Sequence, residues 1–339
     1  MIDKLSTPYN KYAAPEAAMD EMDIIRLMCK EFPRSPRQKN ALFACDAELL
    51  ELPGGIYGLS MDEFSPEEDL LPCSDPEALG ANLATAVLSD VLAAGCVPEF
   101  YMHAVSGPPA APEFCLALTR GVQSVLAQGR CFLLGGDYGQ SVGPGGWRYT
   151  GFAMGIAGER GPLTRVIPDT SPDTPQALWI TGTVGDGNAH ALRGSMPRFE
   201  PRFAEAREIR GRATACTDTS GGLGESLLTL AMCNPRHRLE VDGASVPFAP
   251  EARAAAAAGN FPESAFALGG AGEYELLFTA PEGAPVNCAT RIGTVTAEVG
   301  EPGVLWNGSR LSELPDARAC QDREEYLQRL LEAARQCGN

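Results

Sequence analysis

The chain has 339 residues and a formal net charge of −17, and this length is sufficient for two domains that each bury a core. The negative charge excludes a nucleic-acid or anionic-membrane surface, because both of these partners repel an acidic protein. Since no run approaches the roughly 18 apolar residues of a membrane span and the N-terminus has no hydrophobic signal core, we expect a cytoplasmic protein whose partners are small molecules and cations.

The predicted elements of the first half alternate between helices and strands. Apolar residues at helical spacing indicate a helix over residues 15–32. Asp75 followed by Pro76 is typical of a helix start, and we expect this second helix to end at Gly95. A third helix is expected over residues 112–128. Short apolar runs predict strands over residues 41–45, 56–61, 97–105, 131–134 and 150–157, and the run over 131–134 has the composition of a buried strand.

Prolines 162, 168, 172 and 175 indicate a linker between two domains. We therefore predict an N-terminal domain over residues 1–160 and a C-terminal domain over residues 161–339, with an α/β class for both. The C-terminal domain is expected to begin with a strand over residues 177–183 and the glycine-containing turn 182–187. The amides of this turn could cradle a phosphate, or the turn could simply connect strand and helix tightly. Asn307-Gly308 predicts a hairpin.

Isolated carboxylates recur beside small residues along the chain. Any one of them could merely cap a helix or a turn. Carboxylates a few ångströms apart repel by about 4 kcal/mol per pair at an effective dielectric constant near 20, so a fold that gathers several of them normally holds a divalent cation. Magnesium with a polyphosphate is the expected occupant. The predicted metal ligands are Asp46, Asp62, Asp90, Asp137 and Asp218.

A second, remote interpretation is a hydrolase. Residues 139–143 fit the glycine-x-serine-x-glycine pattern of a nucleophile elbow, with Ser141 as the nucleophile. The motif requires a helix after the serine. Pro144, Gly145 and Gly146 follow instead, and this disfavours the hydrolase.

Five segments in this order resemble the aminoimidazole ribonucleotide synthetase superfamily. They are Asp62, residues 88–95 (Leu-Ser-Asp-Val-Leu-Ala-Ala-Gly), residues 135–137 (Gly-Gly-Asp), residues 218–223 (Asp-Thr-Ser-Gly-Gly-Leu) and residues 269–279 (Gly-Gly-Ala-Gly-Glu-Tyr-Glu-Leu-Leu-Phe-Thr). Within the superfamily they are most similar to thiamine-monophosphate kinase. The resemblance spans about residues 20–310.

This resemblance implies an ATP-dependent phosphotransferase with Mg²⁺ and a small-molecule acceptor, acting as a homodimer whose N-terminal domains share a β-barrel. The implied magnesium ligands are the five aspartates, and Asp137 and Asp218 are the implied catalytic residues. The implied nucleotide contacts are Gly135, Gly136, Asp137, Ser220 and Gly221.

Three positions lack acids that the kinase pattern has, namely Cys45, Gly221 and Gly272. Two alternatives therefore stay open. One is a nucleotide- or metabolite-binding protein without turnover. The other is a different activity of the superfamily, because residues 217–221 (Thr-Asp-Thr-Ser-Gly) are also similar to the Thr-Asp-Val-Thr-Gly of selenophosphate synthetase, in which the single aspartate is a metal ligand.

Overall fold

The computed structural model describes residues 21–65, 75–107, 112–140, 147–168, 175–297, 301–315, 320 and 322–337. Residues Met1–Gln38 form one unit and residues Lys39–Asn339 form a larger compact unit. In the smaller unit, α1 spans Glu21–Lys30. This helix lies within the range predicted over residues 15–32, and the first part of that range lies outside the described residues.

The larger unit mixes helices and strands along its whole length. Its helices are α2 (Pro76–Ala93), α3 (Pro112–Gly129), α4 (Asp186–Arg193), α5 (Phe203–Ile209), α6 (Gly222–Cys233), α7 (Pro250–Gly259), α8 (Ser264–Ala267) and α9 (Arg323–Gln336). Its strands are β1 (Glu48–Leu52), β2 (Gly55–Phe64), β3 (Cys96–Gly107), β4 (Phe132–Gln140), β5 (Arg148–Ala157), β6 (Gln176–Thr181), β7 (Ala215–Asp218), β8 (His237–Val241), β9 (Leu276–Pro281), β10 (Ala289–Ala297), β11 (Gly303–Trp306) and β12 (Ser309–Leu311). Across the described ranges, no helix is long and apolar enough to cross a membrane.

The first sheet has the strand order β1-β2-β5-β3-β4. Its neighbouring strands are antiparallel except for β3 and β4, which run parallel. Helices α2 and α3 pack against each other, and both contact this sheet. The core between the helices and the sheet includes Leu83, Val87, Leu88, Tyr101 and Ala153.

Helix α2 is buried along almost its whole length, and local sequence explains where it begins. The Asp75 side chain accepts a hydrogen bond of 3.0 Å from the Ala78 amide, and Pro76 occupies the first helical turn. Gly80 faces α3, where a Cβ atom would lie 2.0 Å from the carbonyl oxygen of Leu118. The two helices therefore approach too closely for any side chain there, and this contact fixes α2 against α3.

The second sheet has the strand order β12-β11-β8-β10-β6-β9-β7. Its core includes the fully buried side chains of Leu178, Ile180, Leu277 and Trp306, packed against α6 residues such as Leu227. Strand β7 lies at the edge of the sheet and ends at Asp218, after which the chain turns into α6.

The predicted α/β class is confirmed, and the strands form two sheets. Strands up to Ala157 form the first sheet and strands from Gln176 onwards form the second. The domain boundary near residue 160 stays a prediction. The predicted hairpin is confirmed too, because Trp306 pairs with Ser309 while Asn307 and Gly308 adopt positive φ angles of 49° and 82°.

Two predictions for strands were wrong in whole or in part. Residues 41–45 form turns instead of a strand. The Ala44 amide donates to the Ala41 carbonyl at 3.1 Å, and Phe43 has a positive φ of 63°. The buried strand predicted over residues 131–134 is only partly confirmed, because β4 begins at Phe132. Cys131 is buried and Leu133 packs against the core, whereas Phe132 is 66% exposed and Leu134 is 61% exposed.

Candidate metal centre

Three carboxylates from distant parts of the chain converge in the larger unit. Asp46 precedes β1, Asp90 lies on α2 and Asp218 ends β7. One carboxylate oxygen of each residue lies within 4.8 Å of the corresponding oxygens of the other two. Three of the five predicted metal ligands are therefore neighbours.

Burial and mutual repulsion make ionisation of this group unfavourable. Burial, followed by the charges of Asp62, Asp218 and Asp46, raises the pKa of Asp90 well above its ordinary value. Burial and the charge of Asp46 raise the pKa of Asp218 to about 7. In the opposite direction, the Ser60 hydroxyl donates a hydrogen bond of 2.6 Å to Asp90 Oδ2, which favours the ionised form.

Asp46 is held by a network of hydrogen bonds to one of its oxygens, and in the described ranges the other oxygen has no donor. Its Oδ1 atom accepts hydrogen bonds from Arg165 Nη2 at 2.7 Å, from Thr217 Oγ1 at 2.8 Å and from the Asp218 amide at 3.4 Å. Arg165 Nη1 also donates to the Phe43 carbonyl at 3.2 Å. Burial alone would lower the pKa of Arg165, but the charge of Asp46 raises it. Arg165 is thus a permanent cation beside the carboxylates.

The chain after β7 is shaped by small residues that hold Asp218 in place. The Ser220 amide donates to Asp218 Oδ1 at 3.3 Å, and Ser226 Oγ donates to the Asp218 carbonyl at 2.7 Å. Gly222 has a positive φ of 80°, and a Cβ atom there would lie 2.3 Å from the Gly269 carbonyl oxygen. The Gly221-Gly222 pair therefore allows the tight turn from strand to helix that presents Asp218.

The residues of this group fit a hard divalent cation. Among the residues that the structure describes, the buried Oδ2 atoms of Asp46 and Asp218 have no hydrogen-bond partner, although a buried carboxyl oxygen normally requires one. Oxygen ligands of this kind suit Mg²⁺. A cation bound between Asp46, Asp90 and Asp218 would supply the missing partner and offset their repulsion.

The other two predicted metal ligands lie outside this group of three. Asp62 lies on β2, and its charge raises the pKa of Asp90.

Asp137 is exposed on β4, where its Oδ1 accepts a hydrogen bond of 2.8 Å from the Tyr138 amide. It lines a small cavity of about 110 Å³ together with His103 and Thr119. Gly135 and Gly136 are on the same strand as Asp137, and the carboxylates that lie within 4.8 Å of one another are those of Asp46, Asp90 and Asp218.

The glycine turn after β6 already contains a buried acidic side chain. Glu273 is buried, and its Oε1 atom accepts a hydrogen bond of 2.8 Å from the Gly185 amide. A carboxyl group of the protein thus occupies part of the turn that could have cradled a phosphate. This contact favours the tight strand-to-helix connection. Ser141, the nucleophile of the hydrolase interpretation, lies outside the described residues.

Sequence reasoning missed several residues at the centre. Arg165 and Thr217 form hydrogen bonds to Asp46, and Ser60 forms one to Asp90.

Glu225, in the first turn of α6, was missed as well. A Cβ atom on Gly221 would lie 2.0 Å from Glu225 Oε2, so this carboxylate lies directly against Gly221. Only the i, i+4 spacing of residues 221 and 225 gave a local signal for any of these contacts.

Comparison with known proteins agrees with this architecture. The family described as AIR synthase related protein, N-terminal domain, matches residues 46–157. Curated proteins give no significant sequence match. Many solved structures do match. One is AaThiL complexed with AMPPCP and TMP, with a TM-score of 0.74, 22% identity, and coverage of 87% of this chain and 95% of that chain.

Two further structures have the same fold. Thiamine monophosphate kinase from Aquifex aeolicus matches with a TM-score of 0.68 and 22% identity, over 86% of this chain and 98% of that chain. The hydrogenase maturation protein HypE from E. coli matches with a TM-score of 0.58 and 17% identity, over 89% of this chain and 100% of that chain. Residues 46–157 therefore match an AIR synthase related N-terminal domain, and the chain shares the fold of these solved structures.

Proposed function

We propose that the chain is an ATP- and magnesium-dependent phosphotransferase that acts on a small-molecule acceptor. The observation that carries this proposal is the convergence of Asp46, Asp90 and Asp218, two of which have buried oxygens with no hydrogen-bond partner in the described part of the chain. A structural neighbour of similar fold was solved with AMPPCP, an ATP analogue, and TMP. That neighbour supports the choice of nucleotide and makes thiamine monophosphate the first acceptor to test.

In this proposal Asp46, Asp90 and Asp218 hold Mg²⁺, and Asp62 contributes negative charge beside them. The bound metal would neutralise charge on the phosphates during transfer. Arg165 fixes the orientation of Asp46, and Ser60 fixes that of Asp90. No protein nucleophile is needed, because positioning and electrostatics supply most of the rate in phosphoryl transfer.

The other predicted contacts are retained as part of the proposal. Ser220 and Gly221 follow Asp218 directly and are proposed to contact the nucleotide. Gly135, Gly136 and Asp137 are proposed to approach the phosphates from β4. Glu225, which lies against Gly221, is proposed to supply the acid that position 221 lacks.

A homodimer is also proposed, on the basis of an apolar face of the first sheet. Tyr101 and Ala153 point into the core under α2, so their strand neighbours Met102 and Phe152 lie on the opposite face. Met61 pairs with Phe152, which in turn pairs with Met102. Met61 is 70% exposed and Met102 is 42% exposed. Such a continuous apolar row is typical of a surface that a second copy covers.

The competing candidate is a protein that binds nucleotide without turnover. Cys45 favours it, because burial and the charge of Asp46 raise the pKa of its thiol. A neutral thiol cannot replace a carboxylate ligand. A selenophosphate synthetase-like activity remains the third candidate.

The test is ADP formation from ATP and Mg²⁺ with thiamine monophosphate, selenide or formylglycinamidine ribonucleotide as acceptor. Turnover with one of these acceptors, abolished in Asp218→Asn, supports the phosphotransferase and identifies the acceptor. Clear ATP binding without turnover for all three favours the binding protein. Turnover that persists in Asp218→Asn would place the chemistry elsewhere.

A further inference from the structure

Helix α5 and its flanks carry arginines that differ in their pairing, although the chain as a whole is acidic. Arg202 pairs with Glu205 at 3.3 Å, and Arg212 pairs with Glu208 at 3.4 Å. These two pairs use both acids of the helix. Arg207 and Arg210 have no carboxylate partner among the residues that the structure describes. They lie three positions apart, and therefore on the same face of the helix.

Arg210 is held in a half-buried position at the end of α5. Its Nε atom donates to the Ala206 carbonyl at 3.2 Å. Its side chain runs beside the turn at residues 158–161, because a Cβ atom on Gly158 would lie 3.6 Å from Arg210 Cδ. Burial and the positive charge of Arg207 lower the pKa of Arg210, whereas Cys96 acts weakly in the opposite direction. Arg210 is therefore a cation whose charge is not offset locally.

A third guanidinium reaches the same corner of the protein from the turn at residues 158–161. Arg160 Nη1 donates a hydrogen bond to the carbonyl oxygen of Gly211, the residue after Arg210. The sequence neighbour Glu159 is exposed, and in the described ranges it forms no ion pair with Arg160, Arg207 or Arg210. Beside the same turn, no atom of the described residues other than those of Gly161 and its chain neighbours lies within 4 Å of the Gly161 Cβ position, so space is open there.

We propose that Arg160, Arg207 and Arg210 form a binding site for a small phosphate-bearing anion. Guanidinium groups bind phosphate oxygens through paired hydrogen bonds, and these are strongest where the cation is partly desolvated, as it is at Arg210. An anion there would also offset the repulsion between Arg207 and Arg210. The ligand is a small molecule because the net charge of −17 repels an extended polyanion such as nucleic acid. The site goes beyond the proposed phosphotransfer and does not depend on it.

The test is calorimetric titration of the full chain with inorganic pyrophosphate in EDTA and low salt. EDTA removes divalent cations, so the carboxylate group cannot contribute through a metal. We expect binding that weakens as NaCl is added. The double variant Arg207→Gln/Arg210→Gln should bind at least about tenfold more weakly, since each arginine supplies a charge-assisted hydrogen bond.

Two further variants complete the test, a control outside the site and a single substitution within it. Arg253→Gln removes an exposed arginine of α7, whose distance to Glu263 is 3.8 Å, and it should change the affinity less than about twofold. Arg207→Gln alone removes an exposed side chain, so its weaker binding is interpretable even if the double variant fails to fold. Absence of pyrophosphate binding by the unmodified chain, or equal affinity in Arg207→Gln and Arg253→Gln, would overturn the proposal without affecting the proposed phosphotransferase.

Discussion

Asp46 Oδ1 and Arg165 Nη2 lie 2.7 Å apart, although 119 positions separate the two residues in the chain. The Asp46 side chain is fully buried and the Arg165 side chain is 17% exposed. This ion pair joins the segment before the first sheet to the segment before the second. It also supplies a positive charge beside three carboxylates that otherwise repel one another.

Arg165→Met is expected to lower the free energy of unfolding by about 3 to 5 kcal/mol, because it leaves the buried Asp46 carboxylate without its cation. Arg148→Met is the matched control. It removes an arginine paired with Glu63 at 3.0 Å, with both side chains more than half exposed, and should cost less than about 1 kcal/mol. Urea denaturation measures both changes. Equal stability of the two variants would show that the buried pair has no structural role.

Asp218 should make the metal-free protein less stable as the pH rises. Its pKa is about 7 in the folded protein against an ordinary value of 3.8, so the folded chain binds this proton more tightly than the unfolded chain. The stabilisation is complete below about pH 4, declines between pH 4 and 7, and is absent above pH 7.

Asp218→Asn removes this dependence and retains an oxygen that accepts the Ser220 amide hydrogen. In EDTA at pH 8 the variant should be more stable than the unmodified chain by about 1 to 3 kcal/mol. The difference between the two unfolding curves, measured at intervals from pH 5 to pH 8, isolates this residue. A stability difference between the two proteins that does not change with pH would contradict the raised pKa of Asp218.

The sequence predicted the features that depend on neighbouring residues. The Asp75-Pro76 helix start and the Asn307-Gly308 hairpin are confirmed because capping and turn conformation are local properties. The strand predicted over residues 41–45 was wrong because apolar composition alone does not reveal the left-handed conformation of Phe43.

For the candidate site, residue type and family resemblance predicted Asp46, Asp90 and Asp218 as metal ligands, and the structure brings these three carboxylates together. The sequence could not identify Arg165 or Ser60 as their partners, because those hydrogen bonds join residues 119 and 30 positions apart. It also could not show that Asp137 lies on an exposed edge strand, because that depends on the order of strands in the sheet.

The chain is expected to sediment as a dimer through the apolar face that contains Met61 and Met102. Met102→Glu should shift the population toward monomer, because it places a charge in that face. Met232→Glu alters a methionine of α6 with a similar exposure of 45% and should leave the dimer intact. Sedimentation velocity over a range of concentrations measures the shift. A monomer at every concentration of the unmodified chain would contradict the dimer.

Asp137→Asn is expected to weaken magnesium-dependent nucleotide binding about tenfold or more, because it removes a carboxylate proposed to lie beside the magnesium-bound phosphates without changing side-chain volume. Ser141→Ala should leave binding unchanged. Calorimetry with an ATP analogue compares them. Unchanged affinity in Asp137→Asn would restrict the metal site to the three neighbouring carboxylates, and loss of activity in Ser141→Ala would instead indicate hydrolase chemistry.

The central claim is that Asp46, Asp90 and Asp218 together bind a metal-nucleotide complex. The most direct measurement is the melting temperature of the chain with a non-hydrolysable ATP analogue, with Mg²⁺ or with EDTA. A ligand that binds only the folded state adds about 2.7 kcal/mol of stability at a hundredfold excess over its dissociation constant. We predict a higher melting temperature with Mg²⁺ and the analogue, no shift in EDTA, and no shift in Asp90→Asn. An absence of any shift at millimolar ligand, or an equal shift in EDTA and in Asp90→Asn, would contradict the claim.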